Sequence, residues 1–126
     1  MSKIMIVDDS GYTRKMIKTI LEVNGFPDVV EASTSSEAIA KFKKHKPDIA
    51  LLDIVLESGT DGFEICKEFR KISSGTRVIF LTAISQDSYK AKAKELKADA
   101  YIVKPFDPNL LIAKIREIVP TAALAK

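Results

Sequence analysis

Lys3-Ile4-Met5-Ile6-Val7-Asp8-Asp9 is a short apolar run that ends abruptly on two carboxylates. The run is too short to bury the face of a helix. It shows no polar alternation, so it reads as a strand buried on both sides. The same design recurs downstream. Ile49-Ala50-Leu51-Leu52 ends on Asp53, and Val78-Ile79-Phe80-Leu81 ends on Thr82. Val29-Val30-Glu31 and Ala100-Tyr101-Ile102-Val103 are weaker versions of the pattern. A strand buried on both faces needs a layer of helix on each side.

The segments between these runs supply those helices. Ile17, Ile20, Leu21 and Asn24 recur at helical spacing, as do Ala38, Ile39 and Phe42. Ile65, Cys66, Phe69 and Ile72 mark a third apolar face, and Tyr89, Ala93 and Leu96 a fourth. Leu111, Ile115, Ile118 and Val119 mark a fifth. Gly25 follows the first helix as a terminating glycine, Ser35 or Ser36 is expected to cap the second, and Pro108 opens the fifth. Pro47 and Asp48 separate the second helix from the third strand. The order is βαβαβαβαβα. Strict alternation with short connections predicts an α/β fold: a five-stranded parallel sheet with five helices spread over both faces and right-handed crossovers.

Composition narrows the class. A chain of 126 residues supports one domain with a real core. Its 46% hydrophobic and 29% charged content matches an ordinary globular domain, which excludes disordered and fibrous classes. No apolar run approaches the roughly 18 residues of a membrane span, and Ile4–Val7 is too short for a signal-peptide core. The expected location is the cytoplasm. A single cysteine, Cys66, and a single histidine, His45, cannot form an internal disulfide or a zinc site. The net charge of +3 is spread along the chain, so direct nucleic-acid binding is not expected.

In open parallel sheets, ligands bind beyond the carboxyl ends of the strands. Asp8 and Asp9 follow the first strand, Asp53 ends the third, Thr82 ends the fourth and Lys104 follows the fifth. Each has an ordinary alternative: helix caps for Asp8 and Asp9, a turn for Asp53, strand filler for Thr82, a loop lysine for Lys104. What sets them apart is that all five converge on one edge. Crowded carboxylates repel one another, and a divalent cation relieves the repulsion. Few hard oxygen ligands suit Mg2+, which keeps waters and leaves positions for phosphate; calcium would want more protein ligands. A carboxylate can also act as a nucleophile toward phosphorus, and phosphoryl transfer asks mainly for positioning and charge neutralisation. Lys104 and the Thr82 hydroxyl are placed to supply both.

Taken together, Asp8-Asp9, Asp53 after Ile49–Leu52, Asp61-Gly62, Thr82-Ala83 and Lys104-Pro105-Phe106 are a specific set. Over nearly its full length the chain resembles the receiver domain of two-component response regulators, of the stand-alone, chemotaxis-regulator-like kind. The resemblance implies the strand order 2-1-3-4-5, with residues 1–120 as the receiver, 121–126 as a short tail and no output domain. It implies Asp53 as phosphoacceptor, with Asp8, Asp9, Asp53 and the Val55 backbone carbonyl around Mg2+. Lys104 pairs with the phosphoryl oxygens. Thr82 and Tyr101 form the switch, and the peptide before Pro105 is often cis. The donor is a sensor histidine kinase or histidine phosphotransfer protein. The output is a downstream effector protein that binds the face of the fourth helix, fifth strand and fifth helix; homodimerisation on phosphorylation is a second use of that face. Such a chain modifies itself and is not a turnover enzyme.

Two departures from the family pattern stand out. Glu57 occupies a position where many receivers have proline, and the stretch from Asp53 to Asp61 is one residue longer than usual. Val55 and Ile84 are aliphatic where many receivers carry a polar group that helps place the hydrolytic water. This implies slow autodephosphorylation. Two rival classes remain: a flavodoxin-like redox protein, disfavoured because Asp8 and Asp9 would repel a flavin phosphate, and a phosphorylation-independent adaptor of the same fold.

Overall fold

The computed structural model describes residues 2–56 and 61–119. The elements are β1 Ile4–Val7, α1 Gly11–Val23, β2 Val29–Ala32, α2 Ser35–His45, β3 Ile49–Leu52, α3 Gly62–Ile72, β4 Arg77–Thr82, α4 Asp87–Glu95, β5 Ala100–Val103 and α5 Pro108–Ile118. The strands form one parallel sheet in the order β2-β1-β3-β4-β5. This is the predicted topology. Glu57 and the extra length of its loop, and the tail 121–126, lie outside the described residues.

The sheet's two faces sort the strand residues by parity. Met5, Val7, Ala50, Leu52, Val78 and Phe80 pack with Ala38, Phe42, Cys66, Phe69 and Ala93 of α2, α3 and α4. Ile4, Ile6, Ile49, Leu51, Ile79, Leu81 and Ile102 pack with Ile17, Leu21, Leu111, Ile112 and Ile115 of α1 and α5. The register sets Ile4 beside Ile49 and Leu52 beside Phe80, and places the small Ala50 between Met5 and Val78. This is why β1 and β3 read as unbroken apolar runs.

The helix boundaries follow local chemistry. Ser10 caps α1 by accepting the Thr13 N–H. Thr34 caps α2, in place of the expected Ser35 or Ser36. Thr34 accepts the Glu37 N–H (3.2 Å) while the Glu37 carboxylate accepts the Ser33 N–H (2.6 Å), one residue before the cap, so Glu37 ties the helix start to the chain entering it in the manner of a capping box shifted by one residue. Asp107 caps α5, with Pro108 in the first turn. Gly25 takes φ +91°, the left-handed turn that ends α1. α4 buries less than its spacing suggested: Ala93 is its one fully buried residue, and Tyr89 remains exposed.

Candidate functional site

The sheet ladder places the site. The Asp53 N–H donates to the Val7 carbonyl (3.0 Å), the Asp8 N–H to Ala32 (3.1 Å) and the Lys104 N–H to Thr82 (2.8 Å). Each residue is thus one ladder step beyond its own strand, held by the last residue of the neighbouring strand. The chain then turns away, and the side chains gather at the carboxyl edge. The peptide between Lys104 and Pro105 is cis.

Carboxylate oxygens of Asp8, Asp9 and Asp53 lie within 4.8 Å of one another. Asp8 and Asp53 are buried, and Asp9 is half-buried. The Lys104 ammonium reaches across both buried acids, 2.6 Å from Asp8 Oδ2 and 3.0 Å from Asp53 Oδ2. Burial pulls the Lys104 ammonium down, but the Asp8 hydrogen bond and the two facing charges outweigh it and hold Lys104 above the usual lysine value. The remaining oxygens are also oriented. Asp8 Oδ1 accepts the Ser10 N–H (2.9 Å), and Asp53 Oδ1 accepts the Val55 N–H (3.2 Å). One ammonium answers two of the three clustered carboxylates directly. The donors are hard oxygens, few in number, and they fit a small divalent cation such as magnesium.

Thr82 is fully buried. It lies on the same sheet face as Phe80 and Tyr101, because Phe80 is the register partner of Tyr101 and Thr82 follows Phe80 by two. Ile84 links the pair. Its N–H meets Thr82 Oγ1 at 3.5 Å, and its carbonyl accepts the Tyr101 hydroxyl at 2.7 Å. Tyr101 is half-buried. Burial first, then the nearby Tyr89 phenol and the Asp53 charge, push its phenol up from the usual value. The Val55 side chain is exposed beside the site. His45 ends α2 at the opposite edge of the sheet, and Cys66 is buried in the core, so neither belongs here.

One contributor, Arg14, escaped the sequence reading, and so did the contact made by Gly62, whose Asp61-Gly62 pair the sequence singles out. Arg14 donates from Nη1 to the Asp8 carbonyl (2.6 Å) and pairs through Nε with Glu31 (3.2 Å), tying the start of α1 to β1 and β2. Gly62 lies so close to the backbone at the end of β3 that a Cβ there would collide with the Asp53 carbonyl oxygen. An Asp-Gly pair before an apolar run signals a helix start, but nothing local shows which backbone it touches.

A family model described as the response regulator receiver domain matches residues 4–116. The chain belongs to that family. Among receiver relatives it is 37% identical to the chemotaxis protein CheY of Bacillus subtilis (strain 168) over 115 residues, which is 91% of this chain and 95% of that protein. It is 39% identical over 117 residues to the probable transcriptional regulator ycf27 of Porphyridium aerugineum, covering 93% of this chain and 48% of the relative. The chain thus spans about half the length of that regulator. The solved structure of chemotaxis protein CheY4 from Vibrio cholerae superposes with a TM-score of 0.87 at 30% identity, over 94% of this chain and 99% of that one. A CheY-like receiver domain protein from Methanospirillum hungatei JF-1 gives 0.86 at 33% identity, over 93% and 92%. No helix among the described residues is long and apolar enough to cross a membrane.

Proposed function

We propose that this receiver takes a phosphoryl group on Asp53 from the phosphohistidine of a sensor histidine kinase or histidine phosphotransfer protein in the cytoplasm. An Asp53 carboxylate oxygen attacks phosphorus, a P–O bond forms, the P–N bond breaks and the imidazole leaves with its electron pair. Asp8, Asp9, Asp53 and the Val55 carbonyl would hold magnesium, which when bound offsets the negative charge gathering at the transferring group. Lys104, already against Asp53, is positioned to pair with a phosphoryl oxygen. The Thr82 hydroxyl donates to another. The chain modifies itself and does not turn over a substrate.

The observation that carries this reading is the Lys104 ammonium shared between Asp8 and Asp53 beside a third carboxylate. An adaptor without phosphotransfer has no use for that crowding. The output follows from Ile84. When Thr82 turns toward a phosphoryl oxygen, the Ile84 N–H loses its partner, and the carbonyl that holds Tyr101 shifts with it. The Tyr101 ring then changes position beneath the face formed by α4, β5 and α5, where an effector protein binds.

The test is intact mass after incubation with acetyl phosphate, with and without magnesium, on wild type and Asp53→Ala. A magnesium-dependent gain of one phosphoryl group, absent in the variant, is the expected result. A gain that persists in Asp53→Ala would move the acceptor elsewhere.

A further inference from the structure

Resting on the reading of Asp8, Asp9 and Asp53 as a magnesium site, we infer that Arg14 is a positioning residue for that site: it holds the peptide that joins Asp8 to Asp9, and Glu31 aims it. Just beyond β1, the Asp8 N–H donates to the Ala32 carbonyl. The backbone then leaves the sheet for α1, and the Ser10 N–H donates to Asp8 Oδ1 (2.9 Å). Between these two ties lies the Asp8–Asp9 peptide. Its carbonyl accepts a hydrogen bond from Arg14 Nη1 at 2.6 Å. A peptide unit is a rigid plane, so holding the Asp8 carbonyl also fixes the direction of the Asp9 N–H and of the bond leading into Asp9. With the Lys104 ammonium on Asp8 Oδ2 (2.6 Å), each polar group of Asp8 is engaged.

The guanidinium is itself held. Nε donates to Glu31 Oε1 at 3.2 Å. Glu31 lies on β2 as the register partner of Ile6, two residues before Asp8. Nη2 lies against Gly11, 3.5 Å from where a Cβ would stand. Glu31 is fixed in turn. Lys18 of α1 approaches Oε2 at 3.9 Å, and Lys41 of α2 donates to the Glu31 carbonyl at 2.7 Å. α1, α2 and β2 thus converge on one side chain whose far end touches the backbone of the acidic pair. The planar fork of an arginine holds both partners at once, Glu31 through Nε and the Asp8 carbonyl through Nη1. A lysine ammonium is a point donor on a flexible stem and cannot reproduce that geometry.

Two effects of Arg14 on a cation in the site oppose each other. As a charge, the guanidinium repels it. As a clamp, it keeps Asp8 and Asp9 converging, with carboxylate oxygens of Asp8, Asp9 and Asp53 within 4.8 Å of one another. Magnesium demands near-ideal octahedral geometry, so displacing one carboxylate costs affinity. Glu31 offsets the guanidinium charge while steadying the clamp. The clamp therefore prevails, and the sign of the measured effect separates the two roles.

The test is calorimetric titration of magnesium chloride into the full chain, on wild type, Arg14→Ala, Arg14→Lys, Glu31→Ala and the double variant Arg14→Ala/Glu31→Ala. Denaturant unfolding of each without magnesium establishes that the titrated protein is folded. Arg14→Ala should weaken magnesium binding roughly tenfold, although it removes a positive charge near the site. Arg14→Lys restores the charge and should not recover the affinity. Glu31→Ala should weaken binding less, and the double variant should bind no more weakly than Arg14→Ala, because Glu31 acts through Arg14. A purely Coulombic effect of Glu31 would persist in the Arg14→Ala background, and a Glu31→Ala loss that adds there in full overturns the inference. So does an unchanged or tighter affinity in Arg14→Ala, or full recovery in Arg14→Lys. Should Arg14→Ala fail to fold, Arg14→Lys carries the same test. A wild type that binds no magnesium defeats the reading of the metal site instead, so the two failures are distinguishable.

Discussion

Lys104 Nζ lies 2.6 Å from Asp8 and 3.0 Å from Asp53, so one ammonium after β5 serves two buried carboxylates that follow strands three and two places away in the sheet. The lysine stands where a metal ion's charge would also be wanted. Lysine and a bound magnesium ion would therefore compete for the same negative field. Lys104→Met should bind magnesium on the order of tenfold more tightly by calorimetric titration, about 1.4 kcal/mol from the lost competing charge. An unchanged or weaker affinity would show that the ammonium and the ion do not share that field. The same variant should gain phosphoryl groups from acetyl phosphate much more slowly.

The Tyr101 hydroxyl anchors Ile84, and Ile84 meets Thr82. Tyr101→Phe removes one hydrogen bond and should cost about 1 kcal/mol in denaturant unfolding. Phosphorylation of Asp53, read by mass, should be unaffected, while hydrogen exchange in α4 should no longer respond to it. The titration has a definite sign. Burial, Tyr89 and Asp53 raise the folded phenol above the unfolded value of about 10. The unfolded chain thus releases its proton first, and stability falls as pH rises past that value. The fall should be shallower in Tyr101→Phe.

Gly62 has no room for a side chain. Gly62→Ala should lose about 2–3 kcal/mol, because a Cβ would collide with the Asp53 carbonyl and the backbone must yield. Gly75 is the control, since a Cβ there meets nothing within 4 Å. Gly75→Ala should be near neutral. Similar losses in both variants would remove the close approach as the cause.

Val55 is exposed beside Asp53, and Ile84 is half-buried behind Thr82. Neither side chain can hydrogen-bond a water. The aspartyl phosphate should decay slowly after donor is removed, and Val55→Asn or Ile84→Glu should shorten its lifetime severalfold. Decay within seconds in the wild type would contradict this.

Cys66 is fully buried, and burial pushes its thiol up despite the neighbouring Arg70. Its reaction with a thiol reagent should be limited by opening of the fold. Destabilising variants such as Gly62→Ala should accelerate it in proportion to their lost stability.

The alternation of elements was legible because β1 and β3 carry unbroken apolar runs and the helices keep their spacing. The site was legible for the same reason: Asp8, Asp53, Thr82 and Lys104 are strand-end residues, and a parallel sheet aligns strand ends. What the one-dimensional pattern hid depends on neighbours distant in sequence. The contact of Gly62 with the Asp53 carbonyl spans nine residues, and the Arg14 bond to Glu31 joins separate elements. The choice of Thr34 over Ser35 rests on Glu37 reaching back, which four consecutive hydroxyl residues obscure. The shallow burial of α4 was hidden because Tyr89 has apolar character yet lies against the outer side of the Phe63 ring and stays exposed, while Leu96 falls just past the helix end.

Because Asp8, Asp53 and Lys104 are each held by a ladder bond to the adjoining strand, these three groups belong to the lattice of the core and not to the loops that follow. Loops and helix surfaces can then diverge without disturbing the relative positions of carboxylates, ammonium and hydroxyl. Such a molecule keeps a common chemical interface to its donors while its outward faces are free to be rewritten for different listeners.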